Sequence, residues 1–296
     1  MEMSDLITFS AVAQCGGITR AAIELGTVQS NVTNRIKGLE AELAAPLFER
    51  HSRGMTLTPA GRRLLPYVER LKALAREAVA VTRDDGLPSG PLAIGSMETT
   101  AAVRLPPLLA RYHCAFPAVQ LTLHTGPTAH LVEAVLGGLL DGAFVCGPID
   151  HPGLTVASAF NEELVLVTAS RWVSLGALRK GTATAGPTVL VFRTGCSYRQ
   201  RLEQLLAGFG WPCSARLEFG TLEGILGCVA ADMGVTLLPR AVVGRTKLNG
   251  GIRAHTLDGS QSRVETLFIR RRAAYENSAL TSFIDSIKSK APALAA

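Results

Sequence analysis

Within seven consecutive positions the chain places Gln29, Ser30, Asn31, Thr33, Asn34 and Arg35. The paired donors and acceptors of Gln29, Asn31 and Asn34 match the major-groove edge of adenine. The hydroxyls of Ser30 and Thr33 can reach bases or phosphates, and Arg35 with Lys37 suits phosphate or guanine. A second chemistry is spread over three runs rich in glycine and hydroxyls, GSMETT (95–100), TGPT (125–128) and FRTGCSYR (192–199). Each follows an apolar, strand-like stretch, where open α/β sheets present helix N-termini to a ligand. Hydroxyls and backbone N–H groups there suit a carboxylate, with Arg193 as counter-charge. Plain caps and turns use the same residue types.

Enzymatic and metal chemistry leave no such trace. G-x-S-x-G, H-E-x-x-H, the phosphate-binding G-x-x-x-x-G-K-[ST] and G-x-G-x-x-G are all missing from the chain. The six cysteines (15, 114, 146, 196, 213, 228) contain no C-x-x-C pair, and the six histidines lie in different elements. Glu162 and Glu163, neighbours on one strand, point to opposite sides and form no catalytic dyad. The expectation is a non-enzyme without metal or cofactor. His130, close to Thr128, either touches a ligand or lies on the surface. Cys196, at a helix start between Arg193 and Arg199, has two readings. It lines a pocket, or its pKa is lowered and it senses oxidants, with Cys213 as resolving partner if the fold brings them together.

These groups need elements to position them. At 296 residues the chain exceeds one compact domain, and 47% apolar against 18% charged residues fits packed cores. The net charge of +6 is spread out: residues 1–90 hold 11 basic against 10 acidic side chains, residues 91–296 hold 19 against 14. Bulk charge therefore says little about partners, and Arg270-Arg271-Arg272 reads as the solvated end of a strand. No apolar run approaches the ~18 residues of a membrane span, and MEMSDL lacks the form of a secretory signal. A cytoplasmic protein is expected.

Residues 4–57 read as three helices and a hairpin. Leu6, Phe9, Val12 and Ala13 form one apolar stripe, Ala21, Ala22 and Leu25 another, with Gly26 as the left-handed residue that ends the second helix. Val32, Ile36, Leu39 and Leu43 give the third helix a buried face distinct from its polar one. RHSRGMTL (50–57) reads as a hairpin with Arg53 at its tip, where it would enter a minor groove as a wing. Thr58-Pro59 caps a long helix to about Thr82, with a narrow stripe of Leu64, Val68, Leu71, Ala75 and Ala78 that asks for a second copy of itself. Pro66 should kink this helix or cost it stability. After the linker DDGLPSG (84–90), strand patterns at 91–96, 119–125, 142–147, 164–169, 188–192, 215–220, 234–239 and 265–270 alternate with helical ones at 101–112, 128–139, 197–209 and 222–231. This β-α-β order implies parallel sheets covered by helices, in two lobes joined by a double crossover.

Taken alone, the polar face of the third helix fits either DNA reading or a solvated bundle surface. The segment DLITFSAVAQCGGITRAAIELGTVQSNVTNRIKGLEAELAAPLFERHSRGMTLTPAGRRLL resembles the N-terminal winged helix-turn-helix of the LysR-type transcriptional regulators. It does so through Phe9, Val12, Ala13, TRAA (19–22), Leu25, Gln29, Val32, Ile36, Leu39-Glu40, Leu43, LFER (47–50) and LTPAG (57–61). The match covers about 60 residues; the rest agrees in architecture. Val28 stands where the family usually has Ser, so N-capping passes to Thr27, and Ser30-Asn31 replaces a common Pro-Ala, which alters operator preference.

The resemblance implies an α/β chain with a winged helix-turn-helix (1–58), a linker and dimerisation helix with hinge (59–90) and a two-lobed, periplasmic-binding-protein-like (type 2) α/β effector domain (91–296). Lobe one takes about 91–164 and 266–296, lobe two about 165–265. It implies DNA contacts from Gln29, Ser30, Asn31, Thr33, Asn34, Arg35 and Arg53. An effector pocket would lie between the lobes, lined by Ser96, Thr99, Thr100 and Thr128 from lobe one. Arg193, Thr194, Cys196 and Ser197 would line it from lobe two, with Glu218 and Thr221. Implied partners are double-stranded promoter DNA, a small-molecule effector, RNA polymerase and further copies of the chain, as a homodimer through the linker helix and a homotetramer. A transport-type solute-binding protein fits the second half alone, but not the DNA-reading head.

Overall fold

The computed structural model describes residues 1–51, 54–182, 186–193, 195–211, 215–245, 250–257 and 259–289. Arg53, Thr194 and Cys213 lie outside the described residues. Two compact units form, Met1–Arg83 with Gly137–Leu139, and the remainder from Asp84 onward.

The first unit contains α1 (Met3–Cys15), α2 (Ile18–Glu24), α3 (Gln29–Glu42), the antiparallel pair β1 (Phe48–His51) and β2 (Gly54–Leu57), and α4 (Pro59–Arg83). Phe9, Val12, Ala21, Val32, Ile36 and Leu39 are buried in one core, as their helical spacing predicts. Gly26 has φ +61°, the left-handed conformation that lets the chain leave α2 at once for α3. Thr58 caps α4 by accepting from Gly61 N at 3.0 Å, and its hydroxyl donates to Pro46 O at 2.7 Å. Helix α4 runs unbroken through Pro66. Val68 joins the core of the first unit, whereas Leu71 and Leu74 remain exposed. The apolar stripe of α4 is thus divided between a local core and an unpartnered face.

The second unit opens with β3 (Gly90–Ser96), α5 (Glu98–Val103), α6 (Leu105–Ala115), β4 (Val119–Thr125), α7 (Thr128–Leu136) and β5 (Gly142–Cys146). Strand β6 (Leu154–Ala169) leads into the second lobe, with α8 (Leu175–Gly181), β7 (Val189–Phe192), α9 (Ser197–Gly208), β8 (Arg216–Phe219), α10 (Leu222–Ala230), β9 (Thr236–Pro239), α11 (Arg240–Arg245) and β10 (Ile252–Thr256). After a short 3-10 turn, β11 (Arg263–Arg271) and α12 (Ser278–Lys288) return to the first lobe.

The sheets are mixed, a correction to the parallel arrangement read from the β-α-β order. Strand β3 pairs parallel with β4 and β5, and β7 with β8. Strand β11 runs antiparallel to both β5 and β6, and β6 runs antiparallel to β9 and β10. The cause is the double crossover. Strand β6 carries the chain out of lobe one and β11 carries it back, so the two must oppose each other. Residues 154–163 of β6 pair with β11, and 164–169 pair with β9 and β10; one strand serves both lobes. The register shifts between Thr266 and Leu267, leaving Ala159 unmatched at the crossing.

At that crossing Arg104 meets Glu162 with two bonds, Nε to Oε1 at 2.7 Å and Nη2 to Oε2 at 2.9 Å. On the other side of β6, Arg240 binds Glu163 in the same two-bonded way at 2.8 and 2.9 Å. The adjacent glutamates do point apart, each held by an arginine. In lobe one, the Asp84 carboxylate accepts from Ser278 N at 2.9 Å and from the Tyr275 hydroxyl at 3.0 Å, tying the linker to the start of α12.

Candidate functional site

Helix α3 is held at two points. At its middle, Arg35 Nη1 donates to Ser4 Oγ at 2.6 Å and to Asp5 Oδ1 at 2.9 Å on α1. Near its end, Glu40 Oε1 accepts from Leu47 N at 2.7 Å and Phe48 N at 3.3 Å, fixing the helix to the wing strand β1. Val32, Ile36 and Leu39 are buried, so the opposite face looks outward. Gln29, Ser30, Asn31 and Asn34 are exposed, and Thr33 and Arg35 are half-buried.

Their side chains are not equally free. Thr33 Oγ1 donates to Gln29 O at 2.8 Å, and Asn31 Nδ2 donates to Thr27 Oγ1 at 3.0 Å. Among the described residues no side-chain hydrogen bond engages Gln29, Ser30 or Asn34, which leaves their groups for an outside partner. Arg35 is committed to α1, a role its sequence position did not reveal. The capping expectation is corrected as well. The N-cap is Val28, without a side-chain bond, and Thr27 serves Asn31 instead. An uncapped N-terminus leaves backbone N–H groups to phosphate or water.

The second site is a cavity of about 570 Å³ within the second unit, where the lobes face each other. Lobe one supplies Met97, Glu98 and Thr99 from the β3–α5 turn, and Thr125, Pro127, Thr128 and His130 from the β4–α7 turn. Lobe two supplies Phe192, Arg193, Cys196 and Tyr198 around the start of α9, and Phe219 and Gly220 after β8. The loop between β7 and α9 comes close to lobe one. Gly195 has φ +94°, and a Cβ built there would lie 3.4 Å from the Cβ atoms of Pro127 and Ala129. A side chain at 195 would therefore be strained and would crowd the other lobe.

Within the cavity the polar groups differ in availability. Thr128 Oγ1 accepts from Cys146 N at 3.4 Å. The hydroxyls of Thr99 and Tyr198 are buried within electrostatic reach of each other, and neither makes a hydrogen bond of good geometry. Buried hydroxyls in that state are costly unless a ligand or water meets them. Burial pushes the Tyr198 phenol well above its ordinary value, so it stays protonated and can donate.

Of the expected pocket residues, Thr99, Thr128, Arg193 and Cys196 line the cavity, and Thr194 lies outside the described residues. Ser96 is fully buried, donating to Met97 O at 3.0 Å, and Thr100 is buried; neither lines the cavity. Ser197 begins α9 without lining the cavity. Glu218 is exposed and bonds Arg199 Nη1 at 2.6 Å, and Thr221 caps α10 by accepting from Gly224 N at 3.2 Å. Phe192, Tyr198 and Phe219, the aromatic walls, were not singled out from the sequence, although Phe192 and Tyr198 sit in the run 192–199. His130 lines the cavity.

The lowered thiol pKa expected at Cys196 is also corrected. Burial pushes this thiol up, and the nearby backbone N–H groups and Arg199 only partly offset it. Among the described residues no group of three or more histidine, cysteine or acidic side chains could hold a metal, and no single helix is long and apolar enough to cross a membrane.

Comparison with known proteins agrees with this geometry. Residues 3–62 match the bacterial regulatory helix-turn-helix protein, lysR family, and residues 85–292 match the LysR substrate binding domain. The chain is 44% identical over 288 residues to the HTH-type transcriptional regulator GltR of Bacillus subtilis (strain 168), covering 97% of this chain and 96% of that protein. It is 47% identical over 286 residues to the uncharacterized HTH-type transcriptional regulator YusT of the same organism, covering 97% and 95%. Among solved structures, full-length CbnR complexed with its target DNA aligns with TM-score 0.71 and 25% identity over 98% of this chain and 100% of that one. A full-length OxyR variant from Pseudomonas aeruginosa shares the fold, with TM-score 0.69 and 21% identity over 98% and 95%. A helix with an exposed polar face, a two-lobed α/β domain and these matches lead to one conclusion: the chain belongs to the LysR-type transcriptional regulators, DNA-binding proteins that carry a substrate-binding domain and are not enzymes.

Proposed function

We propose that this regulator is a one-component switch whose promoter binding or activation responds to a small effector that presents an anionic carboxylate group, bound between the lobes. The observation that carries the reading is the interlobe cavity with two buried, unsatisfied hydroxyls, Thr99 and Tyr198, and the guanidinium of Arg193. A group that supplies acceptors to both hydroxyls binds one lobe arrangement better than the other, and a ligand shifts an equilibrium only through such a difference.

Helix α3 enters the major groove of promoter DNA, with Gln29, Ser30 and Asn34 towards base edges and Asn31, Thr33 and Arg35 beside them; Arg53 of the wing enters the adjacent minor groove. The exposed apolar residues of α4, Leu71, Leu74 and Val79 among them, pair two copies. Dimers assemble into a tetramer, and its shape governs contact with RNA polymerase in the cytoplasm. Redox sensing through Cys196 is the weaker reading, because desolvation raises the pKa of this half-buried thiol and a protonated thiol is a poor nucleophile.

The test is a thermal-shift screen of the full chain against small carboxylates, with peroxide and reductant alongside. A carboxylate that raises the midpoint in the wild type but not in Thr99→Val or Arg193→Gln supports the reading. A peroxide shift reversed by reductant, with no carboxylate hit, refutes it in favour of the thiol.

A further inference from the structure

Among the described residues lining the cavity there is one carboxylate and one guanidinium, from opposite lobes, with His130 beside them in lobe one. Glu98 stands at the start of α5 in lobe one, and Arg193 at the end of β7 in lobe two. Among the described residues neither side chain makes an ion pair or hydrogen bond. The neighbouring charges are already matched: Arg199 bonds Glu203 and Glu218, Arg216 bonds Glu203, and Arg104 bonds Glu162. The Arg193 guanidinium instead folds over the backbone of Gly220, where a Cβ would lie 3.3 Å from Nη2. Opposite charges that share a cavity without meeting leave a polar gap at both ends.

A plain carboxylate answers only half of this arrangement. It satisfies the exposed Arg193 but brings a second negative charge into the cavity beside the half-buried Glu98, a repulsion. A ligand that carries an ammonium as well satisfies both. The remaining walls, Met97, Pro127, Phe192 and Phe219, are apolar and ask for a hydrocarbon or aromatic body.

Resting on the interlobe cavity as the effector site, we infer that the effector is a zwitterion, an α-amino acid with a bulky apolar side chain. Its carboxylate pairs with Arg193 and the hydroxyls of Thr99 and Tyr198, and its ammonium pairs with Glu98. The volume of about 570 Å³ accommodates such a molecule with ordered water. Because Glu98 and Arg193 belong to different lobes, the zwitterion bridges the cleft by charge alone, something neither a simple acid nor a simple amine can do.

The test titrates the full chain by calorimetry with L-leucine and L-phenylalanine. Each is set beside its deaminated acid, isocaproate or hydrocinnamate, and its decarboxylated amine, isoamylamine or phenethylamine. At least one amino acid is expected to bind tenfold or more tighter than both of its truncated forms. Glu98→Gln should remove the preference over the acid, and Arg193→Gln the preference over the amine, each weakening the amino acid by about tenfold or more. If the acid binds as tightly as its amino acid, the zwitterion is refuted while the cavity stands as the effector site. If an amino acid binds but neither substitution changes its affinity, the cavity reading itself fails. If none of the six compounds binds, the inference is overturned.

Discussion

Removing Arg104 should cost this protein more than removing its partner. The Glu162 side chain is 4% exposed, and that of Arg104 35%. Arg104→Met therefore strands a carboxylate away from water, a loss of about 3–5 kcal/mol for breaking a buried pair. Glu162→Gln leaves the guanidinium with a third of its surface open to solvent and retains one amide acceptor, so about 1–2 kcal/mol is expected. The pair Arg104→Met with Glu162→Leu removes both charges and should recover most of the larger loss, since buried ion pairs replaced by apolar groups are often close to neutral. Both tryptophans, Trp172 and Trp211, lie in the second lobe, so their fluorescence in urea reports on the unit concerned. The comparison of midpoints holds where the slopes stay unchanged. Equal losses for the two single variants, or a double variant as unstable as Arg104→Met, would refute burial of Glu162 as the source of the asymmetry.

Other consequences reach into both units. Asn34→Ala is expected to lower operator affinity by about 1–3 kcal/mol and to relax preference at one base pair; an equal loss on unrelated DNA would make Asn34 a phosphate contact instead. Gly61→Ala places a Cβ 2.3 Å from Leu47 O and 2.8 Å from Leu57 Cδ2, so the wing must shift, at about 1–3 kcal/mol, read as a lowered calorimetric transition of the first unit. Burial, then Arg253, holds His255 below the ordinary imidazole value. Its contribution is therefore full above about pH 6.5 and is lost as pH falls through the lower folded value. His255→Gln should flatten that decline in urea midpoints, and an unchanged slope would exclude the imidazole.

The first unit was legible because its signals are local. Val32, Ile36 and Leu39 recur at helical spacing, and Thr58-Pro59 marks a helix start within two residues. The second unit was legible where apolar residues ran together or recurred at strand or helix spacing, as in β4 and α9. The first half of β6, TVASAFNEE, is exposed or half-buried except at Glu162, so it carries no apolar run; only the buried LVLVTA half was read as strand. Strand β10, IRAHT, failed for the same reason. Helix α12 did carry a usable signal in Asn277 followed by Leu280 and Phe283. At the cavity the right runs were found, but the residue within each was not. Ser96 and Thr100 flank Thr99 within four positions, yet the turn from β3 into α5 sends only Thr99 to the cleft. The partners that occupy Arg35 and Glu218 come from α1 and α9, 30 and 19 residues away, beyond any local pattern.

The strand that serves both lobes also bears on how the chain assembles. Strand β11 belongs between β5 and β6, yet about ninety residues of the second lobe separate it from the end of β6. Until that intervening lobe compacts and brings its two ends together, the first sheet lacks an inner strand, and β5 presents an open edge to any passing segment. On the ribosome the missing strand emerges after the whole insertion, and α12 after that. The second lobe should therefore mature first and act as the clasp that lets the first close, with long-range pairing that makes the unit a slow folder. Sites of premature termination before residue 263 would then leave a complete DNA-reading unit attached to a sheet with an exposed seam, a species prone to aggregate.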